Sequence, residues 1–394
     1  MDHVTTSLAD LGLTRYPQDK GAREPLRAWD AADEYLLRHV AGIGSEQAAD
    51  VVGDEPVDLS GIVVVFGDRW GALVTVLAAH APVQVTDSYL TQEATRANLA
   101  RIGAGLEAVR LASTADELPE RIDVLLVRVP KSLALLEDQL CRLATRMHAG
   151  TVVVGAGMVT EVHTSTLDLF ERIIGPTRTS PAVRKARLIF SVPDVERPKA
   201  VSPWPRSLVL PQDTGAVAGR TVVNHAGVFS AEHLDIGARF FLKHLPRRLP
   251  ATIVDLGCGN GVLGLAAALA NPQAHVTFVD ESYHAVASAR DTMRANSADS
   301  AGRAQFLVQD SLEGYPAHSV DLVLNNPPFH SHQAITDATA WRMFAGSRAA
   351  LRPGGELWVV GNRHLGYHLK LRRLFGNCQV MASDPKFVVL RAVR

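Results

Sequence analysis

A chain of 394 residues, 47% of them hydrophobic, is long for one domain and comfortable for two, each able to bury its own core. The formal net charge of -1 announces no polyanion partner, but Lys and Arg number 21 against 27 Asp and Glu in residues 1–200 and 19 against 14 in residues 201–394, so the second half is net basic. Cys141, Cys258 and Cys378 are too few and scattered for a disulfide framework or a zinc site, no basic-then-apolar leader opens MDHVTTSLADLG, and the longest apolar run, VLGLAAALA, is far short of a bilayer span; a cytoplasmic location is expected, with neither export nor a membrane.

In chain order, GIVVVFGDRWGAL, PVQVTDSYL, RIDVLLVRVPKS and MHAGTVVVGAG are short β-branched runs separated by helical stretches, the pattern of a mainly parallel sheet covered by helices. Residues 198–220, PKAVSPWPRSLVLPQDTGAVAGR, are rich in Pro and Gly without a clean period and read as a linker or a few extended segments. Beyond them, strands are predicted at TIVDLG, HVTFVD, AQFLVQD, VDLVLNN, ELWVVG and KFVVLRAV, with helices over 262–270 and 285–296. This second series repeats the first at offsets from 190 to 205: ATIVDLGCGNGVL answers GIVVVFGDRWGAL, and SVDLVLNNPPFH answers RIDVLLVRVPKS. Two copies of one α/β fold are expected, over 1–200 and 201–394.

VDLGCGNGVLGLA is a strand, a Gly-rich turn and the start of a helix, an arrangement that points backbone N–H groups at a ligand. Gly259, Gly261 and Gly264 satisfy G-x-G-x-x-G, and Asp280 ends the next strand, where an acid can hold ribose hydroxyls, so a dinucleotide competes for this turn, as does plain strand–helix packing. Asp255, ahead of the first glycine, suits a cationic ligand and repels a pyrophosphate, and Gly257 adds an early glycine. S-adenosylmethionine, with its ammonium and sulfonium, is the better match. Asp310, ending the third strand, is placed to reach an adenine edge or simply to cap a turn.

The fourth strand runs into Asn-Pro-Pro-Phe. Proline lacks an N–H, and Pro327 holds Asn326 extended, so the corner presents carbonyl oxygens with few competing donors. Acceptors of this kind suit an exocyclic amine on a nucleobase or an amide nitrogen: the Asn326 oxygen and the Pro327 carbonyl would accept its two N–H groups and aim its lone pair, while Phe329 stacks on the ring. The alternative is a turn ending a strand, with Phe329 in the core and Asn326 as a cap.

HAGVFSAEHLDIGARFFL (His225 to Leu242), DLGCGNGVLG and LVLNNPPFH together resemble a class I S-adenosylmethionine-dependent methyltransferase, and more closely the bacterial ribosomal RNA guanine-N2 methyltransferases, which pair an inactive first copy with an active second one. PLRAWDAADEYLLRHV (Pro25 to Val40) resembles the large-subunit branch, which acts on 23S rRNA. The resemblance spans the whole chain. It implies two tandem Rossmann-like methyltransferase domains from a duplication, the first without cofactor. It also implies that Asp255, Gly257, Gly259 and Asn260 line the cofactor, Asp280 holds its ribose, Asp310 lies near its adenine, and Gly227 and Phe229 close over its methionine end. Asn326, Pro327 and Phe329 would hold the guanine.

The first copy departs at the decisive places. Val65 falls opposite Asp255, Arg69 opposite Gly259, Arg128 opposite Asn326 and Lys131 opposite Phe329. Arg128 and Lys131 are therefore expected either to touch RNA phosphates or to be solvated charges on a retired site, leaving the first domain a role in RNA binding or as a scaffold. Basic clusters at 178–187, 239–248 and 363–373 would attract phosphates. His330 and His332 lack carboxylate or cysteine partners at ligand spacing, so no metal is expected. The rival readings are a small-subunit 16S rRNA enzyme, a glutamine or DNA-adenine amino-methyltransferase, and a non-catalytic RNA-binding assembly protein. A monomer is the expected state.

Overall fold

The protein is described here by a computed structural model, which covers residues 8–18, 27–43, 55–246, 250–296, 302–328 and 333–394, without the side chains of 333–336. The chain divides into two compact units, Met1–Pro203 and Trp204–Arg394.

The first unit opens with helix α1 (Ala31–Val40) and carries strands β1 (Val63–Phe66), β2 (Val83–Thr86), β3 (Arg110–Ser113), β4 (Ile122–Arg128), β5 (Met147–Met158), β6 (Thr177–Thr179) and β7 (Ala186–Ser191). Between them lie α2 (Ala72–Val76), α3 (Tyr89–Arg101), α4 (Leu133–Ala144) and α5 (Thr164–Ile173). The second unit begins with an antiparallel hairpin, β8 (Arg206–Val209) and β9 (Thr221–Asn224), and helix α6 (Ile236–Leu242). Its sheet holds β10 (Thr252–Leu256), β11 (His275–Asp280), β12 (Ala304–Val308), β13 (Val320–Asn325), β14 (Leu351–Asn362), β15 (Gln379–Ser383) and β16 (Phe387–Val393), with α7 (Val262–Ala270), α8 (Tyr283–Asn296), α9 (Gln333–Ala350) and α10 (Tyr367–Phe375) between strands.

Both sheets have one topology. The order β3-β2-β1-β4-β5-β7-β6 in the first unit matches β12-β11-β10-β13-β14-β16-β15 in the second, parallel except for the antiparallel β7 and β16 and the edge strands paired to them. Registers agree as well: Val63 pairs with Val124 as Ile253 pairs with Leu322, and Phe66 with Val127 as Leu256 with Asn325. This sets Arg128, one residue on, in the place of Asn326. The central strands read as continuous β-branched runs because helices cover both faces of the sheet. The hairpin occupies part of the stretch with the linker-like composition and is tied to α8, where the Val223 N–H donates to Thr292 Oγ1 at 2.9 Å.

Helix α7 is apolar all round and almost wholly buried, as expected for a helix with no solvent face. It begins at Gly261 without a side-chain cap, so its first N–H groups need partners from elsewhere. Asp255 supplies one, its Oδ2 accepting the Gly264 N–H at 2.8 Å. In the first unit Val65 cannot do this. There Asp68 Oδ2 accepts the equivalent N–H, from Val74, at 3.0 Å. The carboxylate has moved three residues along the turn and been kept for the helix.

Candidate active site

Four strand ends converge at the carboxyl edge of the second sheet. After β10, Gly257 and Gly259 take positive φ of 70° and 51°. A Cβ on Gly257 would lie 3.8 Å from the Asn326 carbonyl oxygen, which places the Asn-Pro corner directly beside the glycine turn. A Cβ on Gly259 would meet nothing within 4 Å among the described residues, so the turn is open there. Gly264 differs: a side chain there would collide with the Phe278 ring, and it is glycine for helix–strand packing. The literal G-x-G-x-x-G thus joins one ligand-facing position to packing positions.

Asp255 is almost fully buried, and its Oδ1 has no hydrogen-bond partner among the described residues. Burial, with Asp280 nearby and against the bond from Gly264, pushes its carboxyl up to about 8. A cation set beside this oxygen would favour the charged form and bring the carboxyl back down. Asp280 Oδ2 accepts the Gly259 N–H at 3.0 Å and Oδ1 the Ser282 N–H at 3.1 Å, fixing the turn to the end of β11. Asp310 is buried at the end of β12, accepts from Ser311 Oγ at 3.1 Å and lies 3.4 Å from Arg342 Nε on α9. Asn260 turns its amide away to Asn224 Oδ1 at 3.0 Å, tying the turn to β9.

On β13, Asn325 Nδ2 donates to the Leu256 carbonyl at 2.8 Å and braces the strand against β10. Asn326 Nδ2 donates to Asp235 Oδ2 at 3.3 Å, whereas Asn326 Oδ1 is buried without a partner among the described residues. Pro327 is buried. Phe329, His330 and His332 lie outside the described residues. Gly227, at φ 82°, and Phe229, 54% exposed, sit on the segment between β9 and α6, which His284 Nδ1 anchors at the Ala226 carbonyl, 2.7 Å away. Asp235, which the sequence offers as a first-turn helix residue or a contact and which is not among the expected site residues, is both: it caps α6 and meets Asn326. Its only signal was its place ahead of an apolar helix, which marks an N-cap but not a contact with residue 326.

The corresponding corner of the first unit is filled. Arg128 is 0% exposed, which corrects both expectations for it, since it neither reaches RNA phosphates nor meets solvent. Its guanidinium bonds Asp30 Oδ2 at 2.6 Å, Asp33 Oδ1 at 3.0 Å and Glu161 Oε2 at 2.9 Å. Arg69, in the place of Gly259, bonds Glu161 Oε1 at 2.5 Å and lies 3.4 Å from Asp30. An arginine is buried only when its charge is paired, and here three acids pair it. Burial works against the Arg128 charge, yet Asp33, Asp30 and Glu161 raise its pKa above the ordinary value. Lys131 is exposed. Of the basic clusters, Arg363, Arg372 and Arg373 are exposed, and Arg239 is held by Asp213. Among the described residues no cluster of His, Cys, Asp or Glu could hold a metal, and no helix is long and apolar enough to cross a membrane.

The strand order, the glycine turn after the first strand of the sheet, the acid ending the second and the Asn-Pro corner ending the fourth define a class I methyltransferase. Residues 1–195 match the RLMG N-terminal domain and residues 219–391 the methyltransferase small domain. The chain belongs to the ribosomal RNA large subunit methyltransferase G family. It is 65% identical over 395 residues to the protein of that name from Streptomyces griseus, covering 100% of both chains, and 46% identical over 391 residues to that of Aeromonas salmonicida, covering 99% of each. The fold is also that of the T. thermophilus 16S rRNA N2 G1207 methyltransferase, solved with AdoMet and guanosine: TM-score 0.71 at 22% identity, covering 95% of this chain and 93% of that one.

Proposed function

We propose that this chain transfers a methyl group from S-adenosylmethionine to the exocyclic N2 amine of a guanine in 23S ribosomal RNA. The observation that carries the reading is the buried Asn326 Oδ1, without a partner among the described residues, beside a glycine turn that is open among those residues. When bound, S-adenosylmethionine supplies a methyl group already activated by its sulfonium. The unpartnered Asp255 Oδ1 and the bare backbone of Gly259 fit a cationic ligand of that kind, with Asp280 and Asp310 for its ribose and adenine, and Gly227 and Phe229 over its methionine end.

The chain's own residues then work by orientation. Asn326 Oδ1 and the Pro327 carbonyl accept the two N–H groups of the guanine amine and draw its delocalised lone pair out of the ring plane. No strong base is required, because the amine's proton leaves to water after the new N–C bond has formed. Holding the two reactants in line supplies most of the acceleration. A guanine inside a duplex cannot reach this corner, so the base enters unpaired or flipped, and the basic clusters attract phosphates without reading sequence. The first unit keeps the fold without a cofactor site and serves as scaffold or RNA support.

Incubation with labelled S-adenosylmethionine and separated 16S and 23S rRNA from a strain lacking the gene, followed by mapping of the modified base, tests this reading. Label on guanine N2 in 23S rRNA is expected. Label confined to 16S rRNA, or on another base, overturns it.

The two kinds of glycine should separate in mutants. Gly259→Ala is expected to fold with a loss of about 1–2 kcal/mol from its left-handed backbone and to lose roughly tenfold or more in S-adenosylmethionine affinity. Gly264→Ala is expected to lose about 1–3 kcal/mol or more through the clash with Phe278, while its folded fraction keeps its affinity. Thermal melts with and without cofactor, together with calorimetric titration, read both effects.

A further inference from the structure

The geometry points to Asp235 as the positioning residue that fixes which edge of the Asn326 amide faces the substrate. This rests on the reading of Asn326 given above. Asp235 caps α6, its Oδ2 accepting the Ala238 N–H at 2.7 Å, and the same oxygen accepts from Asn326 Nδ2 at 3.3 Å. A carboxylate only accepts, so the Asn326 edge turned toward it must be the NH2. The oxygen is therefore left facing the corner, where it is buried and unpartnered. Without Asp235 the amide can rotate by half a turn and present its NH2 to another NH2, a donor against a donor. The cap thus links the start of α6 to the acceptor on β13, 91 residues away in sequence.

The duplication supplies an independent observation. In the first unit α1 packs on β5 and β7 as α6 packs on β14 and β16, and its N-cap is again an aspartate, Asp30. Asp30 caps the Ala32 N–H through Oδ1 at 2.9 Å and reaches through Oδ2 to Arg128, the residue in the place of Asn326. Both copies carry an acid on the helix cap aimed at the residue that follows the same strand end. Where the partner is an arginine the link becomes an ion pair, and where it is an asparagine the link sets the direction of an amide.

Serine discriminates the two tasks of Asp235, since it caps a helix about as well but is too short to reach Asn326. In the full-length chain, Asp235→Ser is expected to keep the melting temperature and S-adenosylmethionine affinity of the wild type while kcat falls by roughly tenfold or more, and Asp235→Asn, which retains an acceptor at the same reach, to recover most of kcat. Adding Asp235→Ser to Asn326→Ala is expected to cost nothing further, because the amide it orients is gone. Wild-type kcat in Asp235→Ser, or a loss that adds in full to that of Asn326→Ala, overturns the inference. These ratios are taken on whichever RNA the wild type modifies, so a wrong substrate defeats the functional reading alone. NMR of the Asn326 carboxamide gives a test without turnover: one of its protons should show a hydrogen bond that Asp235→Ser removes, and an unchanged signal overturns the inference.

Discussion

Asn326→Ala is expected to cut kcat by about 10²–10³-fold and to leave S-adenosylmethionine affinity nearly unchanged. Alanine removes an acceptor at the corner that has no competing partner among the described residues, so the guanine amine keeps its lone pair in the ring and loses its alignment with the methyl group. Cofactor affinity should survive, because the groups that fit the cofactor hang from other strands: Asp255 from β10, Asp280 from β11 and Asp310 from β12. Asp255 keeps its bond to the Gly264 N–H, and Gly259 its bond to Asp280. Single-turnover kinetics beside calorimetric titration measure the two quantities separately. Near-normal turnover in this variant would remove the central role from Asn326.

The second large effect belongs to the first unit. Arg128→Met should destabilise the first unit by about 3–5 kcal/mol, because it removes the cation shared by Asp30, Asp33 and Glu161, leaving Asp33 without an ion-pair partner among the described residues and the other two with Arg69 alone. For a unit of this size that corresponds to roughly 2–4 °C in melting temperature per kcal/mol. The loss should depend on pH in a definite direction. Burial opposes the Glu161 charge, but Arg128 and Arg69 bring its carboxyl down to about 2, and burial raises Asp33 to about 6 even with Arg128 alongside. A depressed acid such as Glu161 contributes stability above its ordinary value of 4.5, and that contribution fades as pH falls toward 2. A raised acid such as Asp33 costs stability as pH rises from its ordinary 3.8 through 6. Taking the Arg128 guanidinium away reduces the first contribution, leaving Arg69 to hold Glu161, and enlarges the second, so the deficit should be greatest near pH 8 and shrink toward pH 4, where the carboxyls can protonate. Adding Asp33→Asn to Arg128→Met should restore much of the melting temperature, since the acid left without an ion-pair partner is then neutral while Arg69 still holds Asp30 and Glu161. Calorimetry at pH 4, 6 and 8 measures all of this, and a pH-independent deficit would place its cause in packing.

The glycine turn and the Asn-Pro corner of the candidate site were legible because backbone chemistry wrote them locally. Continuous β-branched runs mark covered strands, glycines mark the turn, and Pro327 and Pro328 stop the fourth strand where they stand. Long-range partnership was not legible. Nothing near Arg128 announces that its partners come from residues 30, 33 and 161, so a charge on a retired site looked solvated when it was the plug. Asp235 could not be assigned as a contact for the same reason, standing 91 residues from Asn326. Strand β15 went unpredicted because it is a short edge strand with mostly exposed side chains and no apolar alternation, and β14 begins five residues before ELWVVG, at Leu351, across an irregular register with β13. The shift of a capping acid from position 255 in one copy to the counterpart of Cys258 in the other could be seen only once both helices had been built.

The five interlocked charges of the first unit also bear on how such a protein can change. Arg69→Gly alone strips one cation from Glu161 and still leaves Val65 with nothing to offer an ammonium; Arg128→Asn alone strands Asp33 and leaves Asp30 and Glu161 to share Arg69. Every single step back toward a working pocket runs downhill in stability before it gains any affinity, so the vacated copy is locked in its present office by its own salt bridges, and only a simultaneous exchange of several residues could unlock it.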